Sequence, residues 1–325
     1  MKNYFFALFL LIGLSSCKTK GNYIPDSKGN PYEILMVAEN QMQKSAPCDT
    51  LREILSEDVD MINQSEPIYD IITTTPDNLK NILELHRNII ILEVSEKFDS
   101  ASIKVEYNKF SAPQMIVYMQ AKTDSSLASY IAKNGQNIVT LFNKEEQKRM
   151  VARMTKRNNP PIIDTIKSMF GINIQIPTGY TIRKRADNFL WISYETPATS
   201  QGIFIYTYFY DSTKTFTQKY AIDVRNSFAS MIPGARDSSY MTTSTVFPPT
   251  INTTVINGRQ WVEQHGFWDV KGDYMGGPFI SFSAVDKKNN RVIVIDEYLY
   301  SPRTNKKTRN LLRQLENIVY SVKIP

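Results

Sequence analysis

From Gly171 onward the chain repeatedly spells stretches such as NFLWISYE, GIFIYTYFY, PFISFSAV and RVIVIDEYLY. Nothing else in the sequence restricts the fold as strongly. β-Branched and aromatic side chains suit the pleated, half-buried surface of a sheet, and short connections between them favour antiparallel pairing. Asn257-Gly258, set between TTVI and RQWVEQ, signals a type I′ hairpin, because both residues tolerate positive φ. Asn289-Asn290 is expected to turn the next hairpin. INIQIP (172–177) alternates with period two and reads as an opening strand, after a short apolar helix over 162–170. Two further helices interrupt the strands. One carries Phe216, Tyr220, Val224 and Phe228 at a spacing of four. The other spans about 305–320, with Leu311, Leu312, Leu315, Ile318 and Val319 on one side.

The first half has another rhythm. Tyr32–Ala38 reads as a strand, followed by a helix in which Thr50 and Glu53 are placed as a capping box. Tyr69–Thr74 is the next strand. Thr75-Pro76 then predicts a helix burying Leu79, Ile82 and Leu83. Asn88–Val94 (NIIILEV) is apolar almost throughout, as in a central strand covered on both faces. Gln114–Ala121 is a strand, and a helix over 125–157 is expected to break near Gly135. Pro160-Pro161 marks its exit. The expected fold is α+β in two domains. A β-α-β-α-β-β-α unit occupies 31–160, and an antiparallel sheet flanked by helices occupies 161–325.

The first thirty residues belong to neither. Lys2 precedes YFFALFLLIGL (4–14), an apolar run shorter than the ~20 residues a spanning helix needs and suited to a signal peptide over 1–16. Leu14-Ser15-Ser16-Cys17 resembles the bacterial lipobox, which implies cleavage before Cys17 and lipidation of its sulfur. Several acyl chains hold a bilayer where one binds marginally, so the membrane is the first expected partner. Residues 17–30 are polar and read as a tether. Lys18 and Lys20 stand where surface-exported lipoproteins carry acidic residues, which points to the outer membrane with the body facing the periplasm. Cys48 is the only other cysteine, so no intrachain disulfide is available once Cys17 is lipidated. It stands just before the expected helix and reads as inert. The net charge is +6 and spread out, so nucleic acid is not an expected partner.

The densest polar-aromatic segment is 259–281. On a strand, Trp261, Glu263 and His265 share a face, with Asp269 and Asp273 beyond them. Glu263 paired with Asp269 or Asp273 would suit acid–base hydrolysis of a glycan, given two carboxyls roughly 5–10 Å apart. Trp261, His265, Trp268, Gly276 and Gly277 are candidate binding residues. Met275-Gly276-Gly277-Pro278 could admit a ligand close to the backbone or form a tight turn. A long hairpin with one solvated face accounts for the same residues. His86 and His265 are the only histidines and lie far apart in the chain, and no HExxH or CxxC spacing exists, so no metal is expected. His86 reads as the end of a helix. Neither a phosphate loop nor a GxSxG elbow is present, and no cofactor is expected. Lys144, Lys148, Arg149, Arg153, Lys156 and Arg157 form one basic cluster. Arg303, Lys306, Lys307, Arg309 and Arg313 form a second. Both read as solvated helix faces, with anionic lipid or wall polymer as the alternative contact.

Further stretches carry a resemblance. NPYEILMVAE (30–39), RNIIILEV (87–94), SAPQ before the fourth expected strand, IPTGY (176–180), NFLWI (188–192), YMTT (240–243), MGGPFIS (275–281) and YLYSP (298–302) resemble an uncharacterised domain-of-unknown-function family of Bacteroidetes lipoproteins. That resemblance implies export and lipid attachment, with no catalytic residues to transfer. From INIQIP onward the element order is also similar to the PsbP and Mog1 type of α+β sandwich, whose members mostly act as accessory or binding proteins. The reading is a non-enzymatic envelope lipoprotein that binds or scaffolds another envelope protein or peptidoglycan. A glycan-directed envelope hydrolase and a surface nutrient-binding lipoprotein are the alternatives.

Overall fold

A computed structural model describes residues 24–302 and 307–325. Cys17, the signal segment, Arg303 and Lys306 lie outside the described residues. The chain builds two sheets. The first has the order β2-β1-β3-β5-β4, from β1 (Glu33–Val37), β2 (Asp70–Thr74), β3 (Asn88–Val94), β4 (Ser102–Tyr107) and β5 (Met115–Ala121). β1, β2, β3 and β5 run parallel and β4 is antiparallel. β3 is central, as its continuous apolar run requires. Its two faces feed different clusters, Ile90 and Leu92 with helices α1 (Ala46–Leu55) and α2 (Asp124–Lys156), and Ile89 with Leu79, Leu83 and Phe110.

The second sheet has eight strands and is antiparallel. β6 (Thr181–Ala186), β7 (Phe189–Glu195) and β8 (Ser200–Phe209) meet β13 (Arg291–Tyr300). The order continues through β12 (Gly276–Asp286) and β11 (Arg259–Lys271) to β10 (Thr250–Ile256), with short β9 (Tyr240–Thr243) also on β11. Its two faces bury separate cores. One face packs Leu190, Ile205, Phe282 and Ile295 against α3 (Pro160–Phe170) and α5 (Thr308–Val319). The other packs Phe204, Tyr206, Phe279 and Val294 against α4 (Gln218–Ala229). Asn257 and Gly258 turn the β10–β11 hairpin at φ 50° and 78°, and Asn290 ends the β12–β13 turn at φ 48°.

Several sequence expectations are corrected. INIQIP forms no strand, although Ile172, Ile174 and Ile176 are fully buried. Its alternation satisfies a core contact while the backbone makes only isolated bridges, Asn173 with Lys323 and Pro177 with Asn158. After Thr75 only a 3-10 turn forms (Pro76–Asn78), and Ile82 is exposed. α1 begins after Ser45, so Thr50 and Glu53 lie inside it and cap nothing. α2 does not break at Gly135, which instead lets Ile54 of α1 approach: a Cβ there would lie 2.6 Å from Ile54 Cδ1. β4 was not anticipated. The end of the expected tether is folded, since Ser27 and Lys28 donate backbone bonds to Ala112 and Leu85.

Both basic clusters are partly internal. Arg149 is buried and donates to Asn88 Oδ1 (2.6 Å), Glu146 Oε1 (2.8 Å) and the Arg87 carbonyl (3.0 Å), pinning α2 to the start of β3. Arg309 is 1% exposed and reaches from α5 to Asp70 (2.9 Å) and the Pro67 carbonyl of the first half. Glu66 accepts the backbone N–H groups of Thr308 (2.8 Å) and Arg309 (3.2 Å). The first turn of α5 is thus capped by a carboxylate from the other sheet's domain, where the helix dipole favours negative charge.

Candidate functional site

Strand alternation sends Trp261, Glu263 and His265 of β11 to the α5 side and Trp268 to the α4 side, so the two tryptophans join different cores. His265 pairs with Ile280, and Ile280 with Glu297. Directly paired residues share a face, so Glu297 of β13 emerges beside this row, two strands or about 10 Å away. Glu316 descends onto it from α5. The result is a cluster in which single donor atoms of Glu263, His265 and Glu316 all lie within 4.8 Å of one another. His265 Nε2 and Glu263 Oε1 are 2.5 Å apart, and Arg313 Nη1 donates to Glu316 Oε2 at 2.8 Å. A pocket of about 250 Å³ opens above, lined by His265, Glu316, Arg313 and Arg309 and by Glu57, Asp58 and Asp60 of the first half.

The electrostatics follow from burial. Desolvation works against a charged His265 ring, but the bond with Glu263 and the field of Glu316 outweigh it, and its pKa is raised. Glu297 has no exposed surface, and neither carboxylate oxygen has a partner among the described residues. Burial first, then the charges of Glu316, Asp296 and Glu263, push its pKa well above the usual carboxylate range. Glu316 in turn raises the pKa of Arg313 and keeps it charged.

Glu263 does not meet the partners expected from the sequence. Asp269 lies six residues along the same continuous strand, about 20 Å away. Asp273 sits in the turn after β11, 3.5 Å from Arg236 Nε. Gly276 and Gly277 are strand residues rather than a turn. A Cβ at Gly277 would lie 2.2 Å from the Leu299 carbonyl oxygen and 3.1 Å from Trp268 Nε1. These glycines admit the neighbouring strand and an indole, not a ligand. Trp261 is 1% exposed and out of reach as a stacking platform. Cys48 lies in the first turn of α1, buried, with burial raising its thiol pKa to about 11. A protonated thiol is a poor nucleophile. His86 ends no helix. It is buried, with Nε2 2.9 Å from Glu33 Oε1 and Nδ1 2.9 Å from the Asn88 carbonyl.

A second recess lies on the α4 side, with a volume of about 590 Å³. Trp191, Trp268, Tyr298 and Tyr300 wall it, with the 195–200 loop and Ile232–Ala235 at its rim. Trp191 Nε1 donates to the Tyr298 hydroxyl (2.9 Å) and Trp268 Nε1 to the Leu299 carbonyl (3.2 Å). Trp268 meets Tyr298 edge-on, centroids 5.5 Å apart. Gly202 makes room for the Tyr298 ring, whose atoms lie 2.0 Å from where a Cβ would stand. The sequence reading singled out Trp268 but missed Trp191, Tyr298, Tyr300 and Gly202. The glycine inside the aromatic run GIFIYTYFY was the available signal, since a strand glycine marks close approach.

The family model described as a domain of unknown function (DUF4837) matches residues 159–321, half of the chain. The chain belongs to the DUF4837 family. A second domain of unknown function (DUF8532) matches residues 27–155, ahead of the DUF4837 region. No curated protein matches the chain. Among solved structures, the chain is similar to the Ran-binding protein Mog1p of Saccharomyces cerevisiae at 14% identity, over 48% of this chain and 92% of that one, with a TM-score of 0.32. It is also similar to LpqN of Mycobacterium tuberculosis, described as involved in cell envelope biogenesis. That match has 13% identity over 47% of this chain and 83% of that one, with a TM-score of 0.29. Scores this low support no statement about activity or partner. Among the described residues no helix is long and apolar enough to cross a membrane.

Proposed function

We propose that this protein is a non-enzymatic envelope lipoprotein, lipidated at Cys17 and facing the periplasm, that binds a glycan-bearing component of the cell wall in its α4-side recess. The single observation behind the reading is the recess itself. The partly exposed Trp191 and Tyr300, together with the buried Trp268 and Tyr298, wall a volume within the 300–1,000 Å³ typical of ligand sites. Trp191 and Tyr300 offer area to the apolar face of a sugar ring, and the indole N–H groups of Trp191 and Trp268 are already fixed by partners. Glu195 is the one carboxylate among the lining residues, and it accepts a bond from Ser200. Glycoside hydrolysis calls for two carboxyls, so binding fits this recess better than hydrolysis.

Titration of tryptophan fluorescence with soluble peptidoglycan fragments tests the reading. Saturable quenching is expected, weakened at least tenfold by Trp191→Ala or Tyr300→Ala. No response to any wall fragment at millimolar concentration would remove it. The anchor is tested separately: Cys17→Ser should abolish palmitate labelling and release the chain from the membrane fraction, and unchanged labelling would refute the address.

A further inference from the structure

We propose that Glu263, His265 and Glu316 form a binding site for a divalent first-row transition-metal ion of the zinc type. The three side chains come from β11 and α5 and bring one nitrogen and two carboxylate oxygens to within 4.8 Å of one another. Mixed imidazole and carboxylate donors in threes suit such ions, whereas calcium takes six or more oxygens and magnesium keeps its waters. His265 Nε2 and Glu263 Oε1 lie 2.5 Å apart, so the ring nitrogen and the carboxylate already converge on one point. A bound ion would be ligated by His265 through Nε2 and by Glu263 through its carboxylate. Arg313 occupies only Oε2 of Glu316. It orients the carboxylate and leaves Oε1 for the ion, as outer-shell partners of metal ligands do.

A second, independent observation points to a missing cation. Glu297 is completely buried on the same sheet face, with both oxygens unpartnered among the described residues. Buried carboxylates are ordinarily paired or coordinate metals, and among the described residues no arginine or lysine answers this one. Arg313 is bonded to Glu316, and Arg309 is turned away to Asp70. A dication beside Glu263 and Glu316 supplies the positive field that Glu297 otherwise lacks. Glu57, Asp58 and Asp60 at the pocket mouth favour entry of cations. The site is separate from the aromatic recess and does not depend on it.

The test uses the full chain without a histidine tag, purified in detergent and stripped of metal. Calorimetry with Zn²⁺ should give one saturable equivalent. The chain has two histidines, so imidazole NMR resolves the site without mutation: Zn²⁺ should shift the His265 ring signals and leave those of His86 in place. His265→Ala should weaken binding at least 100-fold, and Glu297→Gln, which removes a carboxylate from the field around the ion, by a smaller factor. Absence of a saturable equivalent, a shift at His86 rather than His265, or wild-type affinity in a folded His265→Ala chain would overturn the proposal.

Discussion

Asp296 and Glu297 are consecutive on β13, and both have zero solvent exposure. Strand geometry sends them to opposite faces, and the two faces treat a buried carboxyl differently. On the α4 side, Arg225 meets Asp296 with two bonds, Nε to Oδ2 at 2.8 Å and Nη2 to Oδ1 at 3.0 Å. Its third donor goes to Thr243 Oγ1, and its guanidinium lies 3.5 Å from the Phe279 ring centroid. Burial still pushes the Asp296 pKa up, and Arg225 pulls part of that back. On the α5 side, neither oxygen of Glu297 has a partner among the described residues. One face pairs its buried carboxyl with a guanidinium, and on the other burial and neighbouring acids raise the carboxyl's affinity for a proton. The first solution locks a helix to a sheet. The second leaves a group that responds to a proton or a cation.

The largest expected effect breaks the paired side. Arg225→Met should destabilise the fold by about 3–5 kcal/mol, because it strands Asp296 without its counter-charge. Urea unfolding measures this, and adding Asp296→Leu should restore most of the loss. A single variant as stable as wild type would mean that the pair contributes nothing.

Next comes the unpaired side. Glu297 has a folded pKa raised above its ordinary 4.5. The folded chain therefore binds more protons than the unfolded one above that pH. The group's contribution is fully present below about pH 4.5 and is lost progressively as pH rises toward the folded pKa, at up to ~1.4 kcal/mol per unit. In EDTA, Glu297→Gln should be more stable than wild type by roughly 1–3 kcal/mol at pH 8, converging with it near pH 4.5. The opposite slope would show that the acid is ionised and paired.

Smaller effects sharpen the contrast. Glu66→Ala uncaps α5 from the first half and should cost roughly 1–2 kcal/mol, with earlier proteolysis of the C-terminal helix. On the α4 side no such cross-domain cap is involved. Lys219→Ala removes an exposed partner of Asp223 on α4 and should change stability by less than about 0.5 kcal/mol.

Much of the architecture was legible. The NIIILEV run placed β3 at the centre, and Asn257-Gly258 placed a hairpin. Trp261, Glu263 and His265 were assigned to one face, as the structure shows. Where reading failed, a tertiary contact had overridden a local pattern. INIQIP alternates because its isoleucines fill the α3–α5 core, not because it pairs as a strand. Arg149 and Arg309 look like surface charge in sequence and are internal pins, because their partners Asn88, Asp70 and Pro67 are distant in the chain. Gly276 and Gly277 look like a turn and serve close strand packing.

The sequence by itself determined the periodicities, and with them most of the strands and helices and the bends of the hairpins, since those depend on neighbours a few residues apart. Only the tertiary structure decided that Glu316 would come down upon Glu263 and His265, that Glu297 would be buried on the same sheet face without a partner among the described residues, and that Trp191 would join Tyr298. Distances between side chains on different elements follow from strand order and helix docking, and neither is written in any local run of residues.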